Sequence, residues 1–130
     1  MVSVIDLIEN YLCDKCDALF SEDGIVCDKV YNPEQTDNRA AFVTQVLTPL
    51  TDQNGVGEYR AQILENRSKR SQCIADAETI RKNFTKYGDI LSNGLAIYIQ
   101  LQYITTPTNK IVVDTSTVYA LSANLKITVK

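Results

Sequence analysis

Two of the four cysteines, Cys13 and Cys16 in "YLCDKCDALF", stand at the spacing used by zinc knuckles and by thiol–disulfide oxidoreductases. A structural zinc site normally draws its thiolates from two close pairs on turns, whereas Cys27 and Cys73 are single and outside any glycine-rich knuckle. A redox centre needs the pair at the start of a helix, where the dipole lowers the thiol pKa. Here the pair falls inside a helical pattern. Val4, Ile5, Ile8, Tyr11, Leu12 and Leu19 recur at three- and four-residue intervals, which predicts an amphipathic helix from Met1 to about Phe20. On that helix Cys16 lies at the edge of the apolar stripe and Cys13 nearer the polar side. Cys16 therefore reads as partly buried packing and Cys13 as a surface thiol; free thiols suit a reducing compartment. A zinc- or thiol-based protein using Cys13, Cys16, Cys27 and Cys73 stands as the rival reading.

Other chemistry is sparse. The chain has no histidine, so the commonest general base and zinc nitrogen ligand are missing, and no nucleophile elbow or phosphate loop is present. Asp14, Asp17, Glu22 and Asp23 cluster at a helix end and turn, where solvated charge is the expectation. "NRSKR" at 66–70 puts three basic residues at a helix start, a phosphate-contact candidate whose simpler reading is a solvated edge. Neither an enzyme nor a bound cofactor or metal is expected. Thirteen basic and sixteen acidic residues give a formal charge of −3, which argues against sequence-specific nucleic acid as a partner. No run is long and apolar enough for a membrane span, and the N-terminus lacks the basic region of a signal peptide.

The elements that must position these residues fit one domain over 1–130. After the first helix comes a turn at 21–24 and a short strand at 25–31. A polar loop covers 32–38, and a further strand 39–48. "PLTDQNGVG" at 49–57, with Asn54-Gly55, marks a long hairpin tip, and 58–66 returns with Tyr59, Ala61 and Ile63 on one face. From Ser68, the expected N-cap, the period becomes helical: Cys73, Ala77, Ile80 and Phe84 share one face and Gly88 ends the helix. Residues 95–104 alternate Leu95, Ile97, Ile99, Leu101 and Tyr103 inward; "TTPTNK" breaks the chain at Pro107; "IVVD" at 111–114 offers a short extra strand; and 117–129 alternates again. The expected architecture is α+β: a mainly antiparallel sheet with two helices packed on one face, as a two-layer sandwich.

The order of these phrases resembles the tail terminator and minor capsid proteins of long-tailed bacteriophages. Gln62, Ile63 and Arg67, then Cys73, Ala77 and Ile80, and finally Tyr119, Asn124 and Ile127 carry the likeness. It departs where a Cys replaces the helix's usual Ala and where the Arg is displaced by one. The resemblance implies a virion protein, assembled in the host cytoplasm, that forms a ring, usually a hexamer, on the end of the tail tube. It would meet the tail tube protein on one side and the head-tail connector on the other. The same reading gives Thr51, Asp52, Gln53, Asn54 and Gly55 an interface role, as a tip that reaches a neighbour. A monomeric adaptor that captures a partner strand along its sheet edge is the third alternative.

Overall fold

The computed structural model describes residues 3–48, 55–111 and 117–130, and of 106–111 the backbone alone. Helix α1 spans Val4–Leu19. Ser3 caps it, its Oγ accepting from the Asp6 N–H at 3.1 Å, and the Asp6 carboxylate in the first turn suits the positive end of the dipole. The N–H of Phe20 closes the other end on the Cys16 carbonyl at 2.9 Å. Ile8, Leu12, Cys13 and Cys16 are the buried face, and each fully buried Ile or Leu contributes about 2 kcal/mol of transfer free energy.

Strand β1 is only Cys27–Asp28 and runs parallel to β2, Asn38–Val46. β2 pairs antiparallel with β3, Gly57–Arg67, and helix α2, Arg70–Phe84, follows. The chain then makes an antiparallel meander of β4 (Tyr87–Ile90), β5 (Ala96–Ile111) and β6 (Thr117–Val129), and β6 returns to pair with β3 along its length. The result is one six-stranded sheet in the order β1-β2-β3-β6-β5-β4. This is an α+β fold with two helices packed against a curled, mostly antiparallel sheet that forms a half-barrel. One apolar cluster joins α1, α2 and the strands, with Tyr59, Ala61 and Ile63 of β3, Cys73, Ala77, Ile80 and Phe84 of α2, and Leu121, Ala123, Leu125, Ile127 and Val129 of β6.

The expected β2, β3, α2 and β6 are present, and β6 has the expected limits. Several details differ: the strand expected at 25–31 is reduced to Cys27–Asp28, and β4 is additional. Ser68 does not cap α2: its N–H and Oγ both reach Asp37 Oδ1, at 3.1 and 3.3 Å, and Lys69 takes the cap position without a side-chain bond. Gly88 does not stop α2, which ends at Phe84; it sits in β4 opposite Tyr98, where a Cβ would come within 3.3 Å of the tyrosine ring. β5 runs through "TTPTNK" instead of breaking, with the register slipping between Thr105 and Thr108, where Pro107 supplies no ladder N–H. An earlier slip between Leu101 and Tyr103 inverts the alternation, so Tyr103 is 59% exposed while Ile104 packs on the core. Of the expected strand at 111–114, Ile111 ends β5 and the rest lies outside the described residues.

Candidate functional site

Of the residues expected to form an interface tip, Thr51, Asp52, Gln53 and Asn54 lie outside the described residues. Gly55 is described and faces inward. It is buried at φ +79°, its carbonyl accepts from the Tyr59 hydroxyl at 2.7 Å, and a Cβ there would run into the Val4 side chain. It thus anchors the base of the loop to the first turn of α1.

The sheet's two flanks are unlike. On the β2 side, side chains of α1 occupy the edge: the Val43 N–H donates to Glu9 Oε2 at 2.9 Å, and Cys13 Sγ approaches the Ala41 carbonyl at 3.7 Å. On the other side β4 covers β5 only from Ala96 to Ile99. Beyond that, from Gln100 to Ile111, no described strand pairs with the outer edge of β5. The run from Ala96 to Thr105 contains no charged residue, and Tyr98 and Tyr103 are 49% and 59% exposed. Next to it a hollow of about 470 Å³ is lined by Lys86, Tyr98, Gln100, Lys126 and their neighbours. An uncharged, β-prone, half-exposed edge is the kind that pairs with another chain. The sequence carried this signal in its charge-free run, but the expected break at Pro107 hid the length of the strand.

A buried ionic cluster lies between β2, β3, α2 and the turn after α1. Arg39 of β2, with no exposed side-chain surface, donates from Nε to Glu65 Oε2 at 2.8 Å and from Nη2 to Asp23 Oδ2 at 2.7 Å, while its guanidinium lies 3.8 Å from the Phe20 ring centre. Arg67 Nη1 bonds the same Asp23 oxygen at 2.9 Å and Asp76 Oδ2 at 3.1 Å. Asp23 therefore ties the turn after α1 to two strands, which corrects its reading as solvated charge. Although burial alone would raise its pKa, the two guanidiniums and the Ile25 N–H hold it below the usual carboxylate value. Within "NRSKR", Asn66 and Arg67 are buried, and of the three basic residues Lys69 and Arg70 are exposed, so the run is not one basic patch. Asn66 instead receives the Tyr31 hydroxyl at 2.6 Å and donates to the Gln35 carbonyl at 3.0 Å, holding the 32–38 loop.

Glu65 is the unusual member. Burial first, then Asp76 beside it, pushes its carboxyl up to about 9 against the opposing pull of Arg39. A proton on Glu65 answers a defect in the cluster, because Glu65 Oε1 has no hydrogen-bond partner as an acceptor. Protonated, it can donate to Asp76, and the charges of Arg39, Arg67, Asp23 and Asp76 then balance. Arg39 in an otherwise uncharged strand, and Asp76 next to Ala77 on the buried face of α2, were the available sequence signals for this cluster.

The thiols are arranged differently from the Cys-x-x-Cys reading. All four are buried and unbridged. Cys13, expected at the surface, is 8% exposed because β1 and β2 cover the polar side of α1. Its nearest thiol is that of Cys27, which donates to Cys13 Sγ at 3.2 Å, while Cys13 Sγ donates to the Asp28 carbonyl at 3.3 Å. The Cys27 contact, then burial, drive Cys13 strongly upward. Cys27 is lowered by Cys13 but carried upward overall by Cys16 and burial. Cys73, fully buried as expected, is pushed up to about 11 by desolvation and then by Glu65. Among the described residues no group of three or more His, Cys, Asp and Glu side chains is placed to hold a metal ion. No family model matches the chain, and no similar protein is found among curated ones.

Proposed function

We propose that this chain is a structural assembly subunit that works through its edges, forming the ring that ends a phage tail tube and offers a surface to the head-tail connector. The observation that carries the reading is the open edge of β5 from Gln100 to Ile111, uncharged as far as Asn109 and set opposite a flank already occupied by α1 side chains. A closed ring uses heterologous contacts, one patch of each subunit meeting a different patch of the next. Two unlike flanks on one sheet supply that asymmetry. In the ring each subunit acts as a two-layer block, helices in one layer and sheet in the other. The β2–β3 loop containing Thr51 to Asn54 reaches the neighbour from a base fixed by Gly55, and the order of the Gln62–Ile127 phrases supports the phage assignment.

Native mass spectrometry and negative-stain imaging of the purified chain test this. The expected result is a closed ring for the wild type and a folded monomer for Tyr103→Lys, which puts a charge on the open edge. A wild type that remains monomeric at high concentration would overturn the ring. If that monomer captured an added β-strand peptide at β5, the sheet-edge adaptor would replace it.

A further inference from the structure

We propose that Cys13 and Cys27 are a modification site: on meeting a small-molecule disulfide they form an intramolecular disulfide that fastens α1 to β1. The two sulfurs lie 3.2 Å apart without a bond, on a helix and on an edge strand held to β2 only at Cys27 and Asp28. Closing to the disulfide length of roughly 2 Å takes a movement of about 1 Å, which a side-chain rotation and a small shift of so short a strand can supply. Access is through β1. Cys27 is 7% exposed, Cys13 8% and the adjacent Val26 76%, whereas Cys16 and Cys73 have no exposed surface.

The chemistry balances with the oxidant as co-reactant. The thiolate of Cys27 attacks one sulfur of the small disulfide R–S–S–R, forming a mixed disulfide and expelling one R–S⁻. The Cys13 thiolate then attacks the Cys27 sulfur of that mixed disulfide, forming the Cys13–Cys27 bond and expelling the second R–S⁻. The two leaving thiolates take up the two protons lost by the cysteines, so the protein is oxidised by two electrons and the small disulfide reduced by two. The Cys27 contact and burial raise Cys13, and Cys27, though lowered by Cys13, is raised overall by Cys16 and burial, so exchange is slow at neutral pH and faster in mild alkali. The product joins residues on either side of the Phe20–Gly24 turn and ties β1 covalently to α1. The proposal is independent of the ring and stands on the thiol geometry alone.

The test treats the purified chain with oxidised glutathione at mildly alkaline pH and counts thiols after denaturation. The expected count falls from four to two, the intact mass falls by two hydrogens, and Tm rises by about 5–10 °C for so short a closed loop. Cleavage after Lys15 and after Glu22 puts Cys13, Cys16 and Cys27 on three separate fragments, so the linkage is read directly in the wild type. Cys16→Ala should form the same Cys13–Cys27 link. Retention of four thiols, a link that includes Cys16 or Cys73, a disulfide between chains, or tightly held zinc that blocks the thiols until chelated would each overturn the proposal.

Discussion

Replacing Glu65 by Gln should remove a pH dependence of stability that the wild-type chain shows between pH 6 and 8. In the folded chain Glu65 is raised from about 4.5 to about 9, by burial and then by Asp76, with Arg39 pulling the other way. Between those values the native state keeps a proton that the unfolded state has lost. The stabilisation is therefore complete below the unfolded pKa and is lost as pH rises toward the folded one. A single proton gives a limiting slope of ~1.4 kcal/mol per pH unit, so two units amount to about 3 kcal/mol, or about 10 °C in Tm for a chain of this size. The window is clean because the chain has no histidine. The lowered Asp23 acts at acid pH, where its stabilisation is lost as pH falls through its folded pKa, and the raised Cys73 at about 11 acts above the window. In Glu65→Gln the amide oxygen accepts from Arg39 Nε and the NH₂ donates to Asp76, reproducing the protonated acid without its titration. Urea melts at pH 6 and pH 8 should show the wild type weaker at pH 8 and the variant level, with the variant within about 1 kcal/mol of wild type at pH 6. Equal wild-type stability at both pH values, or the same slope in Glu65→Gln, would refute a proton on Glu65.

Cys73→Ser should be the most costly of the four cysteine-to-serine changes, by about 1–3 kcal/mol in denaturant melts, because it places a hydroxyl in a fully buried apolar site. Gly55→Ala should lower stability by more than about 1 kcal/mol, since it combines a positive φ of 79° with a Cβ directed into Val4; a thermal melt unchanged from wild type would show that the loop base is not packed there. Deleting residues 51–54 while keeping Gly55 should leave the circular dichroism spectrum near wild type and reduce ring yield in native mass spectrometry. Rings at wild-type yield would remove that loop from the contact.

The local elements were legible because their causes are local. Alternation in 117–129 and the i, i+4, i+7 spacing of Cys73, Ala77 and Ile80 each specify a buried face, and those residues are in the core. The slips in β5 were not legible, since a register change depends on which β6 residue lies opposite; one such change turned Tyr103 outward and Ile104 inward. The capping role expected for Ser68 failed because Asp37, distant in the chain, competes for its N–H and hydroxyl. For the thiols, spacing along the helix put Cys13 beside Cys16, but packing put Cys13 against Cys27, a partner that arrives only when β1 closes over the polar side of α1. The ionic cluster has the same origin: Arg39, Glu65, Asp76 and Asp23 come from a strand, its hairpin partner, a helix and a turn. Sequence order fixes which charges exist, but only the folded chain decides which of them lose water together, and that loss is what pushes the Glu65 carboxyl upward.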